Sequence, residues 1–219
     1  MVSGLFSLLI GYLFGLFQTG YIYGKYKKVD IREHGSGNTG TTNTLRTLGW
    51  KAGAVTFIGD CGKAILAILV VWLLFHNSMP EQIKVLEMTA GLGTFLGHIF
   101  PCYMKFKGGK GIACTVGVLI AFFPLMLPIS LGLFFVIVGI TRYVSVGSIA
   151  ILISFYIQLL IFGQTGILGV TAEYLPPVYI IGAVFIIFGI AKHKENIKRL
   201  MNGTENKLKL SKKQGEETA

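Results

Sequence analysis

The chain has 219 residues, 53% hydrophobic and only 14% charged, with 20 Lys and Arg against 10 Asp and Glu for a formal net charge of +10. Soluble domains carry roughly 25% charged residues and lack repeated uncharged runs of twenty or so, which excludes a soluble enzyme. The basic excess has to be read by position, because Lys and Arg gather on the cytoplasmic side of membrane proteins, and it does not point to nucleic acid.

The first uncharged run, Val2 to Gly24, is long enough to cross a bilayer at about 20 residues per span. With no basic stretch before it and no small-residue cleavage site, it is expected to be a retained first span and not a signal peptide. A basic segment follows, containing His34-Gly-Ser-Gly-Asn-Thr-Gly-Thr-Thr-Asn-Thr-Leu-Arg46. Its glycines let backbone N–H groups converge on one anion, the hydroxyls of Ser36, Thr39, Thr41 and Thr42 can donate, and Arg46 offers a bidentate fork. That is the composition of a phosphate cradle, whereas a flexible linker needs neither the two Asn nor the closing Arg. It is neither a Walker A motif nor a Gly-x-Ser-x-Gly elbow.

The second span, Ala52 to Phe75, contains Asp60 and Lys63, spaced to pair on one helix face and expected to face the bundle, either as a structural pair or holding a base for the site. The third, Val85 to Met104, has Glu87 at one end and His98 toward the other, the latter read as an interior histidine. It leads into Phe106-Lys-Gly-Gly-Lys-Gly111. A glycine-rich turn opening a helix puts free N–H groups and the positive end of the helix dipole at one point, and Lys110 adds a point charge, so Lys107 to Gly111 reads as a second anion site.

Gly111 to Thr141 is uncharged over 31 residues, about 46 Å of helix against a hydrocarbon core of about 30 Å. Pro124 and Pro128 lie at its middle and are expected to split it into two short spans. A turn with Arg142, Ser145 and Ser148 lies at the start of the span from Tyr143 to Ala172, and the last span is Tyr174 to Ala191. Beyond it Lys192 to Glu205 is basic, and His193 and Asn196, three apart, share a face if the helix continues. Residues 206–219 read as a polar tail. The three cysteines, an odd number without ligand spacing, imply neither a disulfide framework nor a metal site.

Parity tests the count. With seven spans and the N-terminus outside, eighteen of the twenty Lys and Arg fall on one side, leaving Lys84 in an outer loop and Lys63 within a span, as the positive-inside rule requires. Six spans would send the basic tail to the opposite face from the first basic loop. The expected fold is an all-α integral membrane protein of seven transmembrane helices, N-terminus outside and C-terminus cytoplasmic, with one domain over 1–205. Three phosphate-binding segments on one face, surrounded by hydrocarbon, suit a substrate that is part phosphate and part acyl chain. A transporter of phosphorylated solutes would need polar residues at mid-bilayer depth, and apart from Asp60 and Lys63 the spans lack them.

The segments Gly35 to Arg46, Gly97-His-Ile-Phe-Pro101 with Phe106 to Gly111, and Lys192 to Leu200 together closely resemble the three motifs of the bacterial acyl-phosphate:glycerol-3-phosphate acyltransferases in order, spacing and placement. The resemblance implies a plasma-membrane enzyme, active on the cytoplasmic face, that moves a fatty acyl group from acyl phosphate to the 1-hydroxyl of sn-glycerol 3-phosphate. Lysophosphatidic acid and inorganic phosphate are the products, in the first acylation of phospholipid synthesis. It implies a monomer with no cofactor and no metal, whose partners are its two substrates and membrane lipid. Carried over by position, Ser36, Asn38, Asn43 and Arg46 serve the first part of the phosphate site, Lys107, Gly108, Gly109, Lys110 and Gly111 hold the acyl phosphate, and His193 and Asn196 place glycerol 3-phosphate. Ser148, or less favourably Ser145, adds a polar contact. Among them Ser36, Arg46, Lys110 and His193 are the expected catalytic residues. Thr39, Thr41 and Cys114 depart from the family's usual residues without removing a charge or a glycine.

Overall fold

Apolar residues on every side of most helices leave the chain no polar face to turn outward, and the architecture follows from that. The computed structural model describes residues 2–208, so the expected tail lies, from 209 on, outside the described residues. In chain order the helices are α1 (Val2–Gly15), α2 (Thr19–Tyr26), α3 (Thr41–Leu48), α4 (Trp50–Phe75), α5 (Ile83–Ile99), α6 (Ile112–Phe122), α7 (Met126–Thr141), α8 (Val144–Gln164), α9 (Leu175–Lys192) and α10 (Lys194–Met201). Among the described residues there is no strand. Four helical stretches are long and apolar enough to cross a membrane: Val2–Tyr26, Trp50–Phe75, Val144–Gln164 and Ala172–Lys192. Leu13 on α1, Leu73 on α4, Ile140 on α7 and Ile180 on α9 are each more than half exposed, giving an apolar exterior suited to lipid.

Inside, Phe95 of α5 and Phe155 of α8 both pack against Phe185 of α9, with ring centroids 4.9 and 5.5 Å apart. Against α5 lies α1, and here no side chain separates the backbones. A Cβ on Gly11 or Gly15 would meet the carbonyls of Ala90 or Thr94, and one on Gly93 or Gly97 those of Leu8 or Tyr12. Two Gly-x-x-x-Gly pairs therefore face each other, the small-residue packing that helices use where lipid removes the hydrophobic drive. Gly97→Ala should lower the melting temperature in detergent by the equivalent of about 1–3 kcal/mol. Gly139→Ala, where nothing lies within 4 Å, should leave it unchanged or raise it slightly. Equal melting temperatures for the two variants would refute this packing role.

The first apolar run differs from the single helix expected. It breaks at residues 16–18, which frees the carbonyls of Gly15 and Phe17, and Lys63 on α4 answers them: its Nζ lies 2.6 Å from the Phe17 oxygen and 3.4 Å from that of Gly15. Gln18, fully buried in the break, donates to the His98 carbonyl (3.0 Å) and accepts from the Thr39 hydroxyl (3.1 Å). The break thus ties α1, α2, α4, α5 and the loop before α3 together.

The long run after Gly111 is split as the prolines predict. Pro124 sits in the gap between α6 and α7, while Pro128 lies in the first turn of α7, where its missing N–H costs nothing. Lys84 closes the gap by donating to the Phe122 carbonyl (3.0 Å) and to Glu87 (2.8 Å), so the lone cation of its loop has a structural task. The run after α9 bends at His193 before α10 begins, in place of one continuing helix.

Candidate active site

Asn43 builds the first loop. At the start of α3 and 2% exposed, it shares the two protons of Nδ2 among the carbonyls of Ile31 (2.9 Å), His34 (3.1 Å) and Asn38 (2.9 Å), and accepts at Oδ1 from the Ser36 N–H (2.8 Å). One side chain so closes a loop with almost no apolar residues of its own. Asn38 accepts from the Gly40 N–H (2.9 Å) and leads into α3. Thr41 and Thr42, the first residues of α3, line a cavity of about 150 Å³ together with Ser36, Asn38, Asn43 and Arg46, so the positive end of α3 meets that cavity.

The second loop reaches the same cavity with its far half only. Gly108 and Gly109 give their N–H groups to the carbonyls of Ile99 (3.3 Å) and His98 (3.1 Å), which closes the turn and leaves those amides unavailable to an anion. Lys107 is exposed, and none of Lys107, Gly108 and Gly109 lines the cavity. Lys110, Gly111, Ile112 and Ala113 do, and they carry the N-terminus of α6. Gly111 has φ +82°, and a Cβ there would run into the Phe95 ring, so only glycine turns the chain into α6 at this point.

From the third segment, the bend after α9 puts His193 and Asn196 against the cavity although they no longer share one helix. His193 Nδ1 lies 2.7 Å from the Gly189 carbonyl and must donate to it, which leaves Nε2 of the neutral ring as an acceptor. Asn196 accepts from the Lys110 ammonium and donates to Glu205 Oε1 (2.9 Å). Glu205 also accepts from Ser145 (3.2 Å) and from Arg199 Nε (2.8 Å), so both its oxygens are engaged. Ser148, on the cavity wall, donates its hydroxyl to the Val144 carbonyl (2.8 Å).

Nine of the twelve expected site residues line this one cavity: Ser36, Asn38, Asn43, Arg46, Lys110, Gly111, Ser148, His193 and Asn196. Arg199 and Glu205 join them, as do Asp60 and His98 at its wall. The charges facing it are Arg46, Lys110 and Arg199 against Glu205 and the Asp60 of a buried ion pair. Burial first, then the neighbouring Arg199, bring the Lys110 pKa down to about 8. Burial, opposed by the bond to Gly189, brings that of His193 down to about 4. Burial raises the Glu205 carboxyl, but hydrogen bonds from Asn196 and Arg199 outweigh it and hold the group below the usual glutamate value. Two helix N-termini and a surplus of cations on one cavity make a site for phosphate groups. Among the described residues no group of three His, Cys, Asp or Glu could hold a metal ion.

Comparison with known proteins agrees with this chemistry. The family model of glycerol-3-phosphate acyltransferase matches residues 5–203. The chain belongs to the glycerol-3-phosphate acyltransferase family. It is 41% identical to the glycerol-3-phosphate acyltransferase of Trichlorobacter lovleyi, over 95% of this chain and all of that one, and 38% identical to that of Bacillus subtilis, over 92% and 96%. Two crystal structures of PlsY (YgiH), an integral membrane glycerol 3-phosphate acyltransferase, share the fold. Its glycerol 3-phosphate form superposes with a TM-score of 0.81 at 34% identity, and its lysophosphatidic acid form with 0.78 at 33%, each over 94% of this chain and 96% of the other. The chain is an acyltransferase and an integral membrane protein of PlsY type.

For a glycerol-3-phosphate acyltransferase the Lys110 pKa makes a prediction. If its ammonium neutralises a substrate phosphate, the competent form exists below about pH 8 in the free enzyme. Then kcat/KM should be flat from about pH 7, where a substrate phosphate is already ionised, up to that value and fall about tenfold per unit above it. Lys110→Arg, weaker in absolute rate, should keep a flat profile to pH 10 because a guanidinium stays charged. A profile with no alkaline limb in the unsubstituted enzyme would rule this out.

Arg199 and Glu205 were absent from the residues expected to act. Arg199 had a signal, lying three residues after Asn196 on the same short helix. Glu205 had little, because Gly203 at φ +68° turns the chain back toward the cavity only after α10 has ended.

Proposed function

We propose that the enzyme transfers a fatty acyl group from acyl phosphate to the 1-hydroxyl of sn-glycerol 3-phosphate, releasing lysophosphatidic acid and inorganic phosphate at the cytoplasmic face of the bacterial plasma membrane. The observation that carries this reading is the convergence of the α3 and α6 N-termini with Arg46, Lys110 and Arg199 on one cavity at the end of an apolar helix bundle. Room for phosphate stands beside a hydrocarbon-facing exterior. The lysophosphatidic acid form of PlsY supports the product. The seven-span topology with the N-terminus outside is supported by the eighteen cations it collects on one side. In this reading the chain works as a monomeric single domain, without cofactor.

The cavity favours direct transfer over a covalent acyl-enzyme. Of its three serines, Ser148 donates to a backbone carbonyl, Ser145 donates to a Glu205 already held by Asn196 and Arg199 and so a weak base, and Ser36 has no base bonded to its hydroxyl among the described residues. An acyl phosphate is a mixed anhydride and needs no further activation. The 1-hydroxyl oxygen forms its bond to the acyl carbon, the carbon–oxygen bond to phosphate breaks, and phosphate departs with the electron pair. Arg46, Lys110 and the two helix N-termini stabilise that departing charge and hold the reactants in place. The hydroxyl proton passes to a phosphate oxygen, which ionises near ~6 in a phosphomonoester, a better base than the His193 imidazole at about 4. His193 Nε2 instead accepts a substrate hydroxyl and orients it, with Ser36 and Asn38 completing the phosphate contacts.

The test is phosphate release from palmitoyl phosphate by the purified enzyme in detergent. Release should depend on glycerol 3-phosphate and match lysophosphatidic acid formed, with palmitoyl-CoA inert. Equal turnover of palmitoyl-CoA would refute the donor, and uptake of glycerol 3-phosphate into vesicles without phosphate release would favour a transporter.

A further inference from the structure

Asp60 and Lys63 are buried on α4 at 1% and 4% exposure, and Lys63 accounts for only part of Asp60. The Lys63 ammonium has three protons, and its close partners are the Phe17 carbonyl (2.6 Å), Asp60 Oδ1 (2.8 Å) and His98 Nδ1 (2.8 Å). An ammonium only donates, so His98 Nδ1 is an acceptor and the ring carries its proton on Nε2. Asp60 Oδ1 accepts a second bond, from the Thr19 hydroxyl (3.1 Å). These contacts pin the carboxylate by one oxygen. The other, Oδ2, is buried and makes no hydrogen bond among the described residues, yet Asp60 is part of the wall of the substrate cavity.

A buried carboxylate oxygen left without a donor costs several times what a typical hydrogen bond returns, so its retention needs an explanation. Thr41 Oγ1, on the same cavity wall, is unpartnered too. The cavity is otherwise furnished for anions, with cations and helix N-termini. Its second carboxylate, Glu205, has both oxygens engaged. Hydroxyls aside, among the described residues the side-chain acceptors without a partner on the residues that line it are Asp60 Oδ2 and His193 Nε2. An anion is repelled by Asp60; an alcohol is attracted. Glycerol 3-phosphate carries two hydroxyl groups besides its phosphate.

We propose that Asp60 recognises the glycerol part of the acyl acceptor: Oδ2 accepts a hydrogen bond from a glycerol hydroxyl, while Lys63 and Thr19 hold Oδ1 so that the carboxylate cannot turn away. The inference rests on glycerol 3-phosphate being the acceptor substrate. Lys63 is then a positioning residue that also closes the α1–α2 break. A site built to bond a substrate hydroxyl discriminates strongly against an analogue lacking it, so Asp60 is assigned to acceptor specificity and not to proton removal.

Asp60→Asn is the test. The variant's amide oxygen must stay with Lys63, which needs an acceptor, so its NH2 replaces Oδ2 and the cavity exchanges an acceptor for a donor. Rates are compared on glycerol 3-phosphate and on propane-1,3-diol monophosphate, which lacks the 2-hydroxyl. If Asp60 holds the 2-hydroxyl, the unsubstituted enzyme should favour glycerol 3-phosphate by about 100-fold in kcat/KM and the variant should lose that preference. If it holds the 1-hydroxyl, kcat should fall about 100-fold on both substrates with KM within threefold. A folded variant with unsubstituted kcat and KM on both substrates overturns the proposal, as does a loss on both that only follows the folded fraction. Should the variant not fold, a second measurement decides. The sequence has two aspartates, Asp30 and Asp60, so 13C-aspartate in an Asp30→Asn background reports Asp60 alone by infrared difference spectroscopy. With an acyl phosphonate bound, glycerol 3-phosphate should shift the carboxylate band and inorganic phosphate should not; no shift overturns the proposal. An enzyme with no glycerol 3-phosphate-dependent phosphate release at all would refute the acyltransferase reading, which is a separate failure.

Discussion

Lys110→Ala should lower kcat/KM for acyl transfer by about 10²- to 10³-fold, the usual loss when one donor to a developing charge is removed, with the melting temperature changed by no more than a few degrees. The small effect on stability follows from what Lys110 touches. Its ammonium bonds the Asn196 amide oxygen, and Asn196 keeps its bond to Glu205 without it. The large effect on rate follows from where it lies, beside the N-terminus of α6 in a half-buried position that already lowers its pKa to about 8. A charge held in such a place is destabilised when the cavity is free and relieved when a phosphate dianion arrives. Part of the binding energy of the phosphate is therefore realised only in the complex. Lys110→Arg should recover no more than a small fraction, since a planar fork does not reproduce a point charge seated on one amide oxygen. Near-full turnover of palmitoyl phosphate by Lys110→Ala, at saturating glycerol 3-phosphate, would remove Lys110 from the mechanism.

The placement of that charge also shows which parts of the molecule could be read from residues alone. Pro124 breaks the helix where its chemistry demands, and Arg46, Lys110, His193 and Asn196 meet although about 150 residues separate the first from the last. The expectation that their segments share one side of the membrane was enough to bring them together on paper. Contacts set by close approach or by a single buried partner were not legible. The spacings Gly11 to Gly15 and Gly93 to Gly97 are visible in the sequence, but only the packed backbones of α1 and α5 show that they oppose each other. The break at residues 16–18 has no proline to mark it, and what sustains it is Lys63, more than forty residues away. Composition also overstated the second loop. Two lysines and three glycines from Lys107 to Gly111 suggested one cradle, yet the Gly108 and Gly109 amides close the turn and Lys107 does not line the cavity, because a tight turn must satisfy its own N–H groups before it can serve a ligand.

Asn43→Ala should be the most destabilising single change at the site, by about 3–5 kcal/mol, and should abolish activity. Four backbone groups meet this one amide, three carbonyls sharing its two protons and the Ser36 N–H at its oxygen, and alanine would leave them to find new partners in a loop that has none to spare. Each buried group left unsatisfied costs about 1–3 kcal/mol, reduced where water can enter. Asn43→Asp should be as damaging or worse, since it sets a carboxylate oxygen against carbonyls that now receive N–H bonds. Both variants should release the loop before α3, seen as faster amide exchange from residue 31 to 44. The loss of rate should then come with a loss of melting temperature. That coupling separates Asn43 from Lys110: one residue holds the cradle's shape and the other supplies its charge. An Asn43→Ala enzyme that melts like the unsubstituted protein and differs only by a raised KM for glycerol 3-phosphate would mean that the amide serves the substrate and not the loop.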